Sequence, residues 1–202
     1  MLLELKKIFK QFKSKRVLLG VDLCVDAGEL IYIKGINGSG KSTLFKIICD
    51  ILMADSGTIN KVDDLVIGAL IENPGFLEAQ NLRSNLEFLA KLNKRFDREY
   101  IEYLCNLLGL DYYDNSKLST YSVGMRQKVG IIQAFMEHQN CILLDEPTRG
   151  LDDNSLLSFI DLINMEVKNG RSIIIASHDP LPQLNFDKKY QLVDGVLELN
   201  CA

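Results

Sequence analysis

No apolar stretch in these 202 residues reaches the roughly 18 needed to cross a bilayer as a helix, so the sequence predicts no membrane span. There is no Pro-, Gly- or Ser-rich linker, no internal repeat and no low-complexity tract, which excludes disorder, collagen and coiled coil as global descriptions. An excess of positive charge is also lacking. Lys and Arg number 23 against 27 Asp and Glu, a net charge of −4, and no nucleic-acid partner is expected from that balance. The five cysteines (Cys24, Cys49, Cys105, Cys141, Cys201) form no CxxC pair and their count is odd. They read as small buried hydrophobes in a reducing cytoplasm rather than as a disulfide framework. The first 16 residues are interrupted by lysines every few positions, so no signal peptide is expected. What remains is ordinary: 47% hydrophobic and 25% charged residues, enough chain for one domain with a sizeable core.

The pattern along the chain is α/β. Residues 2–9 and 17–25 alternate loosely and predict a small N-terminal antiparallel β-subdomain. The apolar runs 30–34, 65–71, 141–145 and 172–177 read as strands buried on both faces, which points to a mainly parallel sheet covered by helices. Leu44, Ile47, Ile48 and Ile51 fall at helical spacing after a glycine loop. From Pro74 to about His138 the period is helical, with Asp97 capping a face of Ile101, Leu104 and Leu108, and a second helix opening near Ser122 and running to His138. Asp152 or Asp153 caps a further helix ended by Asn169-Gly170, and Asp194-Gly195 turns a final hairpin. We therefore read 1–202 as a single domain: a core from about 1–73 and 139–202, with an inserted α-helical subdomain over about 74–138. The chain stops soon after the last hairpin, so no regulatory C-terminal domain is expected.

GINGSGKS (35–42) fits G-x-x-x-x-G-K-[ST], after a predicted strand and before a predicted helix. Gly35, Gly38 and Gly40 let the backbone fold so that its N–H groups and the helix N-terminus cradle phosphate oxygens. Lys41 can reach β- and γ-phosphates, Ser42 can coordinate Mg²⁺, and Thr43 is placed for the α-phosphate. Ile36, Asn37 and Ser39 complete the loop. CILLDE (141–146) ends a buried strand on two carboxylates. Asp145 suits a Mg²⁺ shell, and Glu146, one residue on, suits the orientation and deprotonation of an attacking water.

With those two motifs in place, nearly the whole chain resembles the nucleotide-binding subunit of an ABC transporter, a P-loop ATPase with Mg²⁺. The segment after Glu146 resembles the family's D-loop, with Leu151 and Asp152. His178, in ASHD, resembles the switch histidine that touches the γ-phosphate, and Phe12 resembles the aromatic that stacks on adenine. YSVGMRQK (121–128) stands where the family carries its signature, keeping Ser122 and Gly124. Its S-x-G-M-x-Q form, and IENPG (71–75), resemble exporter ATPases of the bacitracin- and lantibiotic-resistance type. In that stretch Glu72 replaces the usual Gln and becomes a candidate Mg²⁺ ligand.

The resemblance implies a head-to-tail homodimer or heterodimer of ABC subunits in which Ser122 and Gly124 close on ATP held by the partner. It also implies a membrane-spanning transporter subunit, a cytoplasmic location on the inner face of the membrane, and transport in the export direction. Phe76, Leu77, Leu82, Leu86, Phe88 and Leu89 supply either core or a surface for that subunit. Two alternatives are a soluble ABC ATPase of the DNA-repair or translation type and a non-enzymatic regulatory module. The first is disfavoured because fewer than 90 residues separate phosphate loop and signature and there is one acidic domain. The second is disfavoured by the presence of Lys41, Glu146 and His178.

Overall fold

In the computed structural model, which describes residues 1–72 and 75–200, two sheets share one body. Strands β1 (Leu3–Phe12), β2 (Lys15–Val25) and β4 (Ser56–Lys61) form an antiparallel sheet in the order β2-β1-β4. The larger sheet contains β3 (Leu30–Lys34), β5 (Ile67–Leu70), β6 (Cys141–Asp145), β7 (Ser172–Ser177), β8 (Lys188–Val193) and β9 (Val196–Leu199), ordered β5-β6-β7-β3-β8-β9. All neighbours in it are parallel except the β8–β9 hairpin. Asp194 and Gly195 both take positive φ at the hairpin turn, the conformation that matches strand twist in a two-residue loop.

Alternation within β3 divides the core. Ile31 and Ile33 face α1 (Lys41–Ile48) and the antiparallel sheet, together with Leu44, Phe45 and Ile48. Leu30 and Tyr32 face the opposite layer, which holds α2 (Leu82–Leu92), α3 (Arg98–Leu107), α4 (Val123–Phe135) and α5 (Asp153–Lys168). Among the described residues no helix is long and apolar enough to cross a membrane.

The helix caps follow the sequence. Asn81, Asp97, Ser122 and Asp152 each accept a hydrogen bond from the backbone N–H three residues on, satisfying a donor that the first helical turn leaves open.

Two helix ends and the burial of the cysteines depart from expectation. α1 ends at Ile48 because Cys49 caps it and Asp50 turns to a φ of 58°, so Ile51 leaves the apolar face and is 69% exposed. α4 ends at Phe135, and His138 lies beyond it with a φ of 55°. Of the six apolar residues weighed as core or docking surface, Leu82 and Leu86 are fully buried, Phe76 and Leu89 pack partly against the core, and Leu77 and Phe88 are about half exposed. Cys105 and Cys141 are buried, but Cys24 and Cys49 are only half-buried; burial pushes the Cys49 and Cys141 thiols up, to about 11 and about 12. Asn73 and Pro74, at the boundary between the core and the helical segment, and Cys201 lie outside the described residues.

Candidate functional site

Register places the site. Lys34 on β3 pairs with Ser177 on β7, and Asp145 on β6 pairs with Ala176, so three adjacent parallel strands end at one level. The residues that follow them (Gly35, Glu146 and His178) therefore emerge together at the C-terminal edge of the sheet, where open α/β sheets bind ligands.

From β3 the chain turns through Gly38 and Gly40 into α1. Gly40 carries a φ of 112°, and a Cβ there would lie 3.1 Å from the Val17 carbonyl oxygen, so neither the backbone angle nor the space suits a side chain. Lys41 opens the helix almost fully buried. Its ammonium donates to the carbonyls of Gly35 at 2.7 Å and Ile36 at 3.2 Å, and it lies 3.1 Å from Glu146 Oε1.

Glu146 follows β6 with a φ of 48°, a rarely populated angle of the kind that clusters at functional sites. Its Oε2 accepts from Ser177 Oγ at 3.0 Å and lies 2.8 Å from His178 Nδ1. Burial raises the carboxyl, but hydrogen bonds from Lys41, His178 and Ser177 outweigh it and hold it below its ordinary value. Next to it, burial pushes Asp145 upward. The Ser42 hydroxyl and Lys41 offset this in part, while Glu146 and Glu72 add to it. Ser42 Oγ donates to Asp145 Oδ2, and Asp145 Oδ1 is buried without a hydrogen-bond partner.

These groups line a cavity of about 620 Å³. It gathers Phe12, Asn37, Gly38, Gly40, Lys41, Ser42, Thr43, Glu72, Asp145 and Glu146 from four separate segments of sequence. Phe12 is 45% exposed at its rim with the Lys10 ammonium 5.4 Å from the ring centroid, so it is no core phenylalanine of the first strands. Glu72 lines the cavity, but its carboxylate is paired with Lys46 on α1 at 2.7 Å.

The remaining residues singled out in the sequence stand elsewhere. Gly35, Ile36, Ser39 and His178 border a neighbouring cavity of about 460 Å³ on the other side of the loop. Ser122 caps α4 with its hydroxyl on the Met125 N–H. Gly124 lies against the Gly150 carbonyl, which leaves no room for a Cβ. Leu151 packs partly against the core, and Asp152 caps α5, where the Ser155 backbone N–H holds its carboxyl below the ordinary value.

Sequence reasoning missed four contributors. Gln127 Nε2 donates to the carbonyls of Glu146 and Pro147, both at 3.0 Å, fixing the turn that carries the carboxylate. It was visible as the last residue of S-x-G-M-x-Q, but nothing in the sequence says which carbonyls it reaches. The Tyr32 hydroxyl donates to the carbonyls of Asp179 at 2.8 Å and Ser177 at 3.3 Å, bracketing His178; burial and the nearby carboxylates push its own pKa to about 12. Lys15, at the start of β2, and Arg149, on the turn after β6, line the larger cavity from segments that carry no phosphate-binding pattern.

A family model described as ABC transporter matches residues 18–149. Among curated relatives, the uncharacterized ABC transporter ATP-binding protein YdbJ of Bacillus subtilis (strain 168) is 33% identical over 189 residues, which is 88% of this chain and 61% of that protein. The bacitracin transport ATP-binding protein BcrA of Enterococcus faecalis is 31% identical over 189 residues, covering 87% of this chain and 61% of that protein. The chain thus spans about three fifths of the length of these two relatives. A solved structure described as the ATP binding subunit of an ABC transporter superposes with a TM-score of 0.87 at 27% identity, over 98% of this chain and 88% of that one.

Proposed function

Because the chain belongs to the ABC transporter family, we propose that it is the ATP-binding and ATP-hydrolysing subunit of a transporter, working on separate membrane-spanning subunits at the inner face of the membrane. One observation carries the reading. Glu146 is held at the same time by Lys41 of the phosphate loop and by His178 at the end of β7, so one carboxylate links the phosphate-binding group to a candidate switch residue.

The phosphate loop and the N-terminus of α1 bind the phosphates. Lys41 exchanges its carbonyl and Glu146 partners for β- and γ-phosphate oxygens, a charge-assisted contact. That exchange frees Glu146 Oε1 to take a proton from the attacking water, while Ser177 and His178 keep hold of Oε2 and fix the carboxylate's orientation. Phe12, at the rim, provides a face for adenine. Hydrolysis needs the loop to be intact: Lys41→Ala is expected to lower ATP affinity at least tenfold, read by equilibrium titration. Affinity within threefold of wild type would remove Lys41 from phosphate binding.

The unpartnered buried Oδ1 of Asp145 and the adjacent Ser42 hydroxyl are a hard-oxygen pair that fits Mg²⁺. When bound, Mg²⁺ supplies charge neutralisation on the phosphate oxygens. Glu72 joins that pair only by leaving Lys46. We expect Glu72→Gln to raise the free Mg²⁺ concentration needed for half-maximal turnover by a fewfold, with ATP affinity held or improved. Superimposable Mg²⁺ curves would take Glu72 out of the metal's surroundings and leave it as a residue of coupling.

Ser122 and Gly124 open α4 on an exposed face, and we place them against ATP of a second subunit in a head-to-tail dimer, homomeric or heteromeric. The half-exposed Leu77 and Phe88 favour a surface for the membrane subunit beside the helical segment. The 31% identity to BcrA, named for bacitracin transport, favours export.

A further inference from the structure

Arg149 stands on the turn between β6 and α5, and the structure holds that turn from several sides. Its own N–H donates to the Glu146 carbonyl at 3.3 Å, and the Leu151 N–H to that of Thr148 at 3.1 Å. Gln127 holds the carbonyls of Glu146 and Pro147 from α4. Gly150, with a φ of 75°, presses its carbonyl against Gly124. Arg149 therefore lines, from a fixed base, the cavity shared by Lys41, Asp145 and Glu146.

The charges around that cavity are mostly engaged. Glu146 is shared by Lys41 and His178, Glu72 is taken by Lys46, and Asp145 by Ser42. Arg149 and Lys15 are both exposed and have no carboxylate partner among the described residues, and of the two it is Arg149 whose backbone is tied to Glu146. Its backbone N–H on the Glu146 carbonyl keeps its base beside that carboxylate's end of the cavity. A planar guanidinium presents paired N–H donors that match two oxygens of one phosphate, and it never loses its charge at physiological pH.

From this placement we propose that Arg149 is a nucleotide-contacting residue that binds the terminal phosphate of ATP held by its own chain and so distinguishes ATP from ADP. The inference rests on the reading of the cavity as an ATP site. Lys41 reaches phosphate oxygens common to both nucleotides, whereas a cation at the Glu146 end meets an oxygen set that only the triphosphate extends to. The same contact strengthens as negative charge spreads over the transferred group, so the side chain serves turnover as well as binding.

The test is calorimetric titration of wild type, Arg149→Ala, Arg149→Gln and Arg149→Lys with ATP and with ADP, in EDTA so that neither nucleotide is consumed. Loss of a charge-assisted contact predicts ATP binding weakened about tenfold or more in the Ala and Gln variants. ADP binding should stay within twofold, and Arg149→Lys should fall between. ADP is the internal measure of folding, because a damaged loop weakens both nucleotides. Equal weakening of ATP and ADP, or unchanged ATP binding, would overturn the assignment of Arg149 and leave the site reading standing. Wild-type protein that binds neither nucleotide would overturn the site reading, and the inference with it.

Discussion

Glu146→Gln is expected to lower ATP turnover by about 10²–10⁴-fold while ATP affinity stays within a fewfold of wild type or improves. The carboxylate is the proton acceptor for the attacking water; the amide has the same shape and cannot take a proton. Nothing else in the site is removed. An amide oxygen at the Oε2 position still accepts from Ser177 and His178, which keeps the turn in place. Lys41 loses its carboxylate partner at 3.1 Å, so moving onto phosphate costs it less. The variant should consequently stop after binding and accumulate the ATP-bound dimer. Phosphate release at saturating Mg-ATP measures the first effect, and size-exclusion chromatography with ATP the second. Turnover within threefold of wild type would dismiss Glu146 as the base. A variant that stays monomeric at saturating ATP would count against the sandwich arrangement instead.

The sequence disclosed what repeats or clusters locally and concealed what only the fold brings close. Strands β3, β6 and β7 were legible because both faces are buried and their apolar runs are unbroken. β4 was not, because Ser56–Lys61 pairs with β1 alone and is largely exposed, so no apolar alternation marks it. The periodicity that placed Ile51 on α1 was real, yet helix termini depend on backbone geometry at Cys49 and Asp50 that hydrophobic spacing does not encode. At the site, the phosphate loop and the two carboxylates were legible as contiguous motifs. Gln127 and Tyr32 act through side-chain bonds to carbonyls 19 to 20 and 145 to 147 residues away, and no single-sequence pattern records such a meeting. Glu72 was legible as a departure, but its engagement with Lys46, 26 residues upstream, was not.

Arg171→Ala is expected to destabilise the fold by about 3–5 kcal/mol, far more than a surface arginine would. The reason is Glu166 on α5, which is 1% exposed and whose Oε2 lies 2.8 Å from Arg171 Nε. Tyr100 on α3 donates its hydroxyl to Glu166 Oε1 at 3.0 Å and accepts from Arg171 at 2.7 Å, while the guanidinium sits 5.2 Å from the Tyr100 ring centroid. Burial and the Glu166 charge raise the Tyr100 pKa well above that of a free phenol, although Arg171 opposes this, so the hydroxyl remains a donor. His138 Nδ1 meets Arg171 at 3.1 Å, its Nε2 meets Asp97 at 2.8 Å, and Asp97 caps α3. The network thereby joins the helical segment to the start of β7, the strand that His178 follows. Truncating Arg171 leaves the Glu166 charge buried without its counter-ion, and the cost is that of the stranded charge rather than of one contact. Adding Glu166→Gln to Arg171→Ala should therefore recover part of the loss, since the neutral amide needs no counter-ion and can still accept from Tyr100. Urea unfolding of the single and double variants measures this, with similar m values as the condition for comparing midpoints. A single variant within 1 kcal/mol of wild type, or a double variant less stable than the single, would show that Glu166 is not held as a buried charge and that Arg171 does not tie α3 to the core.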